Sequence, residues 1–305
     1  MTGTAEPFRS GFVAFVGRPN AGKSTLVNAL VGEKIAITSP VPQTTRSRLR
    51  GVVDRPGVQI VLVDTPGLHK PVDALGAGLN RAGLAALADV DVACLLVDAS
   101  ARVGRGDAWV AKRVESAKAR KVLVMTKSDL TDPAAVSRQV EAARALMSFD
   151  SVAVVSSVAD EGLDDLVTLL ASLLPQGPRY FPEGMRTDQP LEAAIAEFIR
   201  EKVLLNTRDE VPHAVGVMLE ELSHEERSDL SLVSATVFVE RESQKGILVG
   251  KGGEMVKTIG TEARRDLERL LGTRVHLDLR VKVKRDWRRD EGQVRRFGYG
   301  DGGRG

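Results

Sequence analysis

Residues 17–24 read GRPNAGKS, and this segment constrains the fold of the chain more than any other. An apolar run, Phe12 to Val16, precedes it, and a helical pattern begins near Leu26. A turn from a buried strand into a helix start leaves backbone N–H groups free to bind phosphate oxygens. Lys23 then supplies a point charge to the β- and γ-phosphates, and the Ser24 hydroxyl coordinates Mg²⁺. The segment predicts a nucleoside triphosphate site, without choosing between ATP and GTP.

Length and composition are those of an ordinary globular protein of about two domains. The chain has 305 residues, of which 43% are apolar and 28% charged. No apolar run approaches the roughly 20 residues that cross a bilayer, and residues 1–10 lack a signal-peptide core. We therefore expect a cytoplasmic protein. The single cysteine, Cys94, falls in an apolar run and is expected to be a core residue.

Basic residues are concentrated at the C-terminal end. Residues 241–305 carry 17 Lys and Arg against 10 Asp and Glu, whereas residues 1–240 carry 26 against 31. This asymmetry favours a polyanionic partner for the C-terminal part. A solvated basic surface is the alternative, and charge alone does not choose between the two.

Short apolar runs alternate with helical patterns from Gly11 to about Leu174. Such runs predict parallel strands buried on both faces, and hence an α/β domain with a doubly wound, mainly parallel sheet. Beyond a Pro- and Gly-rich stretch, a helix, two strands, a loop, a helix and a final strand predict a second, α+β domain. The predicted strands of the first domain are Phe12–Val16, Gln59–Val63, Val92–Val97, Lys121–Met125 and Ser151–Val155.

Two polar motifs follow predicted strands, where an open parallel sheet places its ligand. In the first, residues 64–67, Asp64 would hold Mg²⁺ and the Gly67 amide would meet the γ-phosphate. In the second, Thr126-Lys127-Ser128-Asp129, the Asp129 carboxylate can accept two hydrogen bonds from guanine, whereas adenine lacks both donors. The stem of Lys127 would pack over the base. These motifs favour GTP, although the second one alone also fits a simple helix cap.

With Gln43-Thr44-Thr45-Arg46 and Ser156-Ser157, these segments stand in the order of the five guanine-nucleotide motifs of translation-factor-class GTPases. From Gly11 to about Trp287 the chain resembles the Era family of bacterial GTPases. The resemblance implies that Thr45, or else Thr44, lies in the first switch and reaches Mg²⁺ and the γ-phosphate. The GTP-binding residues it implies are Gly17, Arg18, Pro19, Asn20, Ala21, Gly22, Lys23, Ser24, Thr25, Asp64, Thr65, Pro66, Gly67, Leu68, Thr126, Lys127, Ser128, Asp129, Ser156, Ser157 and Val158.

Catalysis is expected to depend on Asn20, Lys23, Thr45 and Gly67, with Ser24, Thr45 and Asp64 as the metal ligands. Ras-like enzymes orient water with a Gln after the third motif, but here that residue is Leu68. In the family that the chain resembles, the loop G-x-P-N-x-G-K-S is associated with a potassium ion, and Asn20 stands at the ligating position. The resemblance thus implies slow GTP hydrolysis that requires Mg²⁺ and is faster with K⁺ than with Na⁺.

Two further residues depart from the usual motifs. Thr126 stands where Asn is usual, and Ser157 stands where Ala is usual. Guanine selectivity depends on Asp129 and should survive both changes. The usual Asn also braces the phosphate loop, a role that the sequence does not assign to Thr126.

Residues 247–256 match the signature of a KH domain of the bacterial type II form, in which a G-x-x-G loop lies between two helices. Glycines there let single-stranded RNA approach the loop amides, whereas a lone G-x-x-G also fits a helix-turn-helix corner. Arg285, Arg288 and Arg289 are expected to extend the basic surface. The expected RNA-binding residues are Lys245, Ile247, Val249, Gly250, Lys251, Gly252, Gly253, Val256, Lys257, Arg264, Lys282 and Lys284.

The resemblance implies that the RNA is the 3′ end of 16S ribosomal RNA and that the protein acts in assembly of the small ribosomal subunit. GTP would control the availability of the KH domain. We predict an N-terminal arm (1–10), a GTPase domain (11–175), a linker (176–190), a KH domain (191–290) and a flexible basic, glycine-rich tail (291–305). A monomer is favoured because no long heptad pattern occurs.

Three alternatives stay open at this point. The protein could be a small-molecule phosphotransferase, which a competition assay between GTP and ATP would reveal. It could be an RNA-binding module in which GTP is only structural. Weak peripheral association of the basic end with a membrane is a third alternative, although residues 284–296 show no convincing apolar face.

Overall fold

The structure, a computed structural model, describes residues 7–71 and 73–299, and these group into two compact units. Residues 7–36, 45–71 and 76–188 form the first unit, and residues 37–44, 73–75 and 189–299 form the second. The stretch predicted to be a linker therefore belongs mostly to the first unit. Of the predicted arm and tail, residues 1–6 and 300–305 lie outside the described residues.

A six-stranded sheet is the centre of the first unit, in the strand order β2-β3-β1-β4-β5-β6. All neighbouring strands are parallel except β2, which pairs antiparallel with β3. The strands are β1 (Arg9–Gly17), β2 (Leu49–Arg55), β3 (Val58–Asp64), β4 (Val92–Asp98), β5 (Arg120–Thr126) and β6 (Ser151–Val154). The helices are α1 (Lys23–Val31), α2 (Ala74–Ala85, whose first two residues belong to the second unit), α3 (Arg105–Glu115), α4 (Pro133–Arg144) and α5 (Leu163–Leu173).

Apolar side chains alternate between two faces of this sheet, and helices cover both. Along β1, Val13 and Phe15 pack in one buried cluster with α1 and α5, while Ala14 and Val16 pack in another with α3 and α4. Burial on both faces explains why these strands are uninterrupted apolar runs. The fold class expected from the sequence, an α/β domain with a mainly parallel sheet, is confirmed.

The carboxyl ends of four neighbouring strands meet at one edge of the sheet. Phe15 pairs with Asp64, and Asp98 at the end of β4 pairs with Thr126 at the end of β5. This edge brings together the phosphate loop after β1 and the polar motifs after β3 and β5. The fold thereby assembles the candidate nucleotide site from segments about 100 residues apart.

In the second unit a three-stranded sheet packs against three helices. Its strand order is β7-β8-β9, with β7 antiparallel and β9 parallel to β8. Apolar residues of all three strands and of α6, α8 and α9 form one buried cluster. The elements are α6 (Leu191–Asn206), α7 (Val211–Ala214), β7 (Gly216–Glu225), β8 (Leu230–Val239), α8 (Glu242–Val249), α9 (Glu254–Leu271), β9 (Arg274–Val283) and α10 (Glu291–Arg296).

The C-terminal segment differs from its prediction as a flexible tail. Residues 291–296 form helix α10, and the Phe297 ring lies edge-on to Trp287 at 4.8 Å between ring centroids. Trp287 is fully buried, and its Nε1 donates a hydrogen bond to the Ala214 carbonyl at 2.8 Å. Trp287 and Tyr299 are buried and Phe297 is half-buried between them, and the packing of these three rings fixes the described part of this segment. Over the described residues we find no helix that has both the length and the apolar character needed to span a membrane.

Candidate nucleotide and RNA sites

The phosphate loop passes from β1 into α1 through glycines that the geometry requires. Gly22 has a φ of 82°, and a Cβ at Gly17 would lie 2.7 Å from the Leu96 carbonyl oxygen. Within the described part of the chain, no side chain caps the start of α1. The first N–H groups of that helix are thus oriented toward the loop, where phosphate oxygens can accept their hydrogen bonds.

Lys23 is buried at the first turn of α1, and the loop itself holds its ammonium group. Its Nζ donates to the carbonyl oxygens of Arg18 at 2.8 Å and of Gly17 at 3.3 Å. Burial lowers the pKa of Lys23 to about 8, although the nearby Asp64 carboxylate acts in the opposite direction. A bound phosphate would place negative charge next to this ammonium group and so favour its protonated form.

The three predicted metal ligands lie together. Ser24 Oγ donates to Asp64 Oδ2 at 2.7 Å and lies 2.8 Å from Thr45 Oγ1, which is 3.3 Å from the same carboxylate oxygen. The second oxygen, Asp64 Oδ1, is buried and has no hydrogen-bond partner among the described residues. Burial raises the pKa of Asp64 despite the hydrogen bond from Ser24 and the charge of Lys23. This cluster of hydroxyl and carboxylate oxygens fits Mg²⁺, which prefers such ligands.

The segment after β3 packs directly on the phosphate loop. Leu68 N–H donates to the Gly17 carbonyl at 3.2 Å, and Thr65 Oγ1 donates to the Phe15 carbonyl at 2.8 Å. A Cβ at Gly67 would lie 2.8 Å from the backbone of Pro19, so only glycine fits this contact. Leu68 is 1% exposed and serves the core rather than orienting water.

At the other end of the site, Thr126 takes over the bracing role of the usual Asn. Its Oγ1 lies 2.9 Å from the Ala21 carbonyl oxygen and 3.2 Å from the Val97 carbonyl oxygen, and it can donate to one of them at a time. The hydroxyl thus links the end of β5 to the phosphate loop.

The carboxylate expected to select guanine is oriented by the last motif. Ser156 Oγ donates to Asp129 Oδ1 at 2.5 Å and accepts from the Ala159 N–H at 3.0 Å. Asp129 is exposed, so its second oxygen can receive a ligand. Val158 is 82% exposed, and Ser157 is half-buried.

Two carboxylates that the sequence reasoning missed support loop residues of the site. Asp98 Oδ2 lies 2.6 Å from Lys127 Nζ, and Asp107 Oδ2 lies 3.0 Å from Arg18 Nη1. Asp98 could have been found, because it ends β4 at the same sheet edge as the other motifs. Asp107 carried no such signal, because it belongs to the first turn of a helix, α3.

The glycine loop of the second unit lies between α8 and α9. Gly250, Gly252 and Gly253 all have positive φ angles, of 72°, 61° and 82°. A Cβ at Gly250 would lie 2.8 Å from the Cβ of Met255, whereas Gly252 and Gly253 face open space. This open backbone suits close approach of a nucleic-acid strand.

Predicted RNA-binding residues lie around this loop and on the adjacent elements. Ile247 is 48% exposed at the end of α8, and Val249 and Val256 are half-buried. Arg264 lies 3.9 Å from Glu268, which makes it less available than the lysines. The basic residues of this group that are exposed are Lys251, Lys257, Arg264 and Lys282, while Lys245 and Lys284 are half-buried.

Arg288 does not join the basic surface as the sequence suggested. Its Nε and Nη2 donate to Glu240 Oε2 at 3.0 and 2.7 Å, and its Nη1 lies 3.7 Å from Asp73. The guanidinium group is thus neutralised within the unit. Trp287 and Phe297, which a membrane anchor would expose, pack against each other instead.

Comparison with known families agrees with this architecture. A sequence model of the family described as "50S ribosome-binding GTPase" matches residues 12–127, and a model of the KH domain matches residues 210–288. The protein "GTPase Era" of Mycolicibacterium smegmatis is 48% identical over 296 residues, covering 96% of this chain and 99% of that protein. GTPase Era of Mycobacterium sp. (strain JLS) is 49% identical over the same shares of the two chains.

Two crystal structures are similar over nearly the whole chain. One is a variant of Aquifex aeolicus Era bound to GDP.AlF4-, with a TM-score of 0.92 and 35% identity, covering 96% of this chain and 99% of its own. The other is Era in complex with MgGDPNP and nucleotides 1506–1542 of 16S ribosomal RNA, with a TM-score of 0.93, 36% identity and the same coverage. This chain, with a nucleotide-binding α/β unit and a KH domain in that order, belongs to the Era family of GTPases.

Proposed function

We propose that this protein binds 16S ribosomal RNA near its 3′ end and acts, under the control of GTP, in the assembly of the small ribosomal subunit. The observation that supports the proposal is the pairing of the predicted guanine-nucleotide site with an open G-x-x-G loop in one chain. A relative of 36% identity has been solved with MgGDPNP and the 3′ nucleotides of that RNA. We further propose that it works as a cytoplasmic monomer.

The nucleotide would lie along the edge where β1, β3, β4 and β5 end. In this proposal Lys23 and the first N–H groups of α1 hold the phosphates, and Asp129 accepts hydrogen bonds from guanine. Ser24, Thr45 and Asp64 hold Mg²⁺, which when bound supplies positive charge to the transferring phosphoryl group. Gly67 lies tight against Pro19 of the phosphate loop, and its N–H would meet the γ-phosphate.

The RNA would run across the glycine loop. Exposed Lys251 and Lys257, which form no ion pair among the described residues, contribute charge to phosphates, and Ile247 offers an apolar contact to a base. A KH loop of this kind clamps about four unpaired nucleotides. Affinity should therefore depend strongly on salt, with base selectivity coming from the groove beside the loop.

Control by GTP has a physical basis in the path of the first switch. Thr45 belongs to the first unit and contacts Ser24 and Asp64, whereas residues 37–44 belong to the second unit. One peptide bond, between Thr44 and Thr45, thus separates a predicted Mg²⁺ ligand from a segment held by the RNA-binding unit. Loss of the γ-phosphate would release Thr45 and free this segment to move.

Helix α6 holds that segment through two charged side chains. Arg200 Nη2 donates to the Thr44 carbonyl, and Glu201 Oε1 accepts from the Thr38 N–H at 2.9 Å. Arg200 is fully buried and is compensated by Glu197, whose two oxygens lie 2.8 and 2.6 Å from it. Removing one partner from such a buried contact costs on the order of 1–3 kcal/mol.

The test compares the dissociation constant for a 3′-end 16S RNA fragment in the MgGDPNP and MgGDP states at fixed salt. We expect the two constants to differ by at least about fivefold, the lower limit of a typical coupling free energy. Arg200→Lys cannot reproduce the forked contact to Glu197 and Thr44, so in this variant the two dissociation constants should become nearly equal. Equal constants in the wild type would mean two tethered modules without control, and no binding at all would refute the assigned RNA.

Potassium dependence is a separate part of the proposal. Asn20 has a φ of 64°, a left-handed conformation that Asn tolerates better than most residues, at the position that the family associates with the ion. We expect GTP turnover by the wild type to be faster in KCl than in NaCl at equal ionic strength. Asn20→Ala should remove that difference. Equal wild-type rates in the two salts would exclude Asn20 from hydrolysis.

A further inference from the structure

An ion pair lies beside the predicted guanine pocket and involves a carboxylate outside the five nucleotide motifs. Asp98 ends β4 and Lys127 follows β5, its neighbour in the sheet. Oδ2 of Asp98 lies 2.6 Å from Nζ of Lys127, and the two side chains are 22% and 33% exposed. The pair is therefore partly shielded from water, which strengthens its attraction.

Both ends of this pair are restrained by the backbone. The other oxygen, Asp98 Oδ1, accepts hydrogen bonds from Ser100 N–H at 2.9 Å and from Ser100 Oγ at 2.6 Å. Lys127 has a φ of 58°, in a region that a lysine occupies only when its surroundings impose it. Ser100 thus holds the Asp98 carboxylate independently of the lysine, and the backbone of Lys127 is held in place as well.

We propose that Asp98 is a positioning residue that holds the stem of Lys127 in the orientation that covers the guanine base. A free lysine side chain has large rotamer entropy, and ordering it during ligand binding lowers affinity. An ammonium group already bound to Asp98 avoids most of that cost. Asp98 then slows nucleotide release without touching the nucleotide. The inference rests on the proposed guanine pocket formed by Lys127 and Asp129.

The experiment measures the release rate of fluorescent GDP, chased with unlabelled GDP in Mg²⁺ buffer. Asp98→Asn keeps the side-chain shape and removes the charge, and we expect about threefold to fivefold faster release, the range for a partly exposed ion pair. Asp150→Asn is the matched control, because Asp150 pairs at 3.0 Å with Arg120 at the opposite end of β5. Its release rate should stay within about 1.5-fold of the wild type.

A double-mutant cycle separates positioning from a general effect on the fold. In a Lys127→Met background, which itself should speed release, Asp98→Asn should add nothing. If Asp98→Asn speeds release equally in both backgrounds, or not at all in the wild type, Asp98 does not act through Lys127. If Lys127→Met leaves release unchanged, the guanine pocket is wrong as well. Should Asp98→Asn fail to fold, Ser100→Ala, which loosens Asp98 alone, gives a smaller increase by the same reasoning.

Discussion

The nucleotide site of the first unit and the glycine loop of the second are both predicted to bind phosphate, but in opposite environments. Lys23 is 6% exposed and donates to two loop carbonyls, whereas Lys251 is exposed and makes no ion pair among the described residues. A buried charge is costly unless a partner is in place, so Lys23 is tied to one geometry. An exposed charge costs little and contributes little, so Lys251 is one of several interchangeable contacts.

Backbone geometry shows the same contrast. A Cβ at Gly17 or Gly67 would meet backbone atoms at less than 3 Å, whereas a Cβ at Gly252 or Gly253 would meet nothing within 4 Å. The first pair of glycines lets protein segments approach each other, and the second pair leaves space for a ligand strand. The nucleotide site is therefore a closed arrangement in which single groups should dominate, and the RNA loop is an open surface in which effects should be distributed.

The largest effect should come from the buried lysine. Lys23→Ala removes the point charge from the phosphates and the two hydrogen bonds within the loop, and we expect GTP affinity to fall by at least about 100-fold, as for a buried hydrogen-bonded charge. Isothermal titration with MgGTP measures this loss. RNA binding by the nucleotide-free protein should stay unchanged, and a parallel loss of RNA affinity would contradict the separation of the two sites.

A change of pH should affect nucleotide binding, which depends on buried Lys23, more than RNA binding, which depends on exposed lysines such as Lys251. The pKa of Lys23 is lowered from the ordinary 10.5 to about 8, so the nucleotide-free protein loses this proton above about pH 8. Nucleotide binding needs the charged form, and GDP affinity should therefore fall about tenfold from pH 7 to pH 9. RNA affinity, which depends on exposed lysines, should change far less over that range.

The linked effect on stability has the opposite sign. Between about pH 8 and 10.5 the unfolded chain holds a proton on Lys23 that the folded chain has lost. The cost of burying this group therefore falls as pH rises, and the free energy of unfolding increases.

Titrations of the wild type and Lys23→Gln with GDP at pH 7, 8 and 9 check the predicted fall in nucleotide affinity. A flat profile for the variant assigns the dependence to Lys23, and an equal slope in both proteins would exclude that assignment.

The sequence predicted the closed site better than the surfaces around it. Strands such as Val92–Asp98 are apolar throughout because they are buried on both faces, and that pattern survives in a single sequence. The antiparallel edge strand, Leu49–Arg55, was missed because its charged residues and Gly51 interrupt the apolar pattern. Asp98 ends a predicted strand at the edge of the site, which marks it as a candidate, but its role depends on Lys127, which lies 29 residues away and is reached only through sheet pairing.

The start of helix α8 and the C-terminal segment show what local sequence patterns do not reveal. The KH resemblance implies a helix before the glycine loop, but the polar residues from Glu242 onward give no helical period that would place its start. The predicted tail, 291–305, reads as basic and rich in glycine, yet the order of its described part comes from Phe297 and Tyr299 packing on Trp287. Such contacts between a few isolated aromatic residues leave no local pattern to detect.

A moderate effect is expected at the brace between β5 and the phosphate loop. Thr126→Val keeps the shape of the side chain and removes the hydroxyl that lies 2.9 Å from the Ala21 carbonyl. Loss of one buried neutral hydrogen bond is worth about 1 kcal/mol, which is about fivefold in GTP affinity. Thr126→Asn, which restores the usual motif, should retain affinity near the wild type. Wild-type affinity in Thr126→Val would show that the loop needs no brace.

The smallest single effect should come from the exposed loop, and it sharpens the contrast with Lys23. Lys251→Ala removes one phosphate contact, so RNA affinity should fall only about threefold to fivefold at physiological salt, and the slope of log affinity against log salt should decrease by about 0.7. Exposed Glu254 at the start of α9 offers a control, because Glu254→Gln changes charge beside the loop without removing a cation. A loss near 100-fold for Lys251→Ala would place this lysine in an enclosed contact like that of Lys23, and the distinction between a closed and an open phosphate site would fail. GTP affinity, measured on the same preparation, should not change, because a surface charge in the second unit leaves the buried network of Lys23, Ser24 and Asp64 as it is.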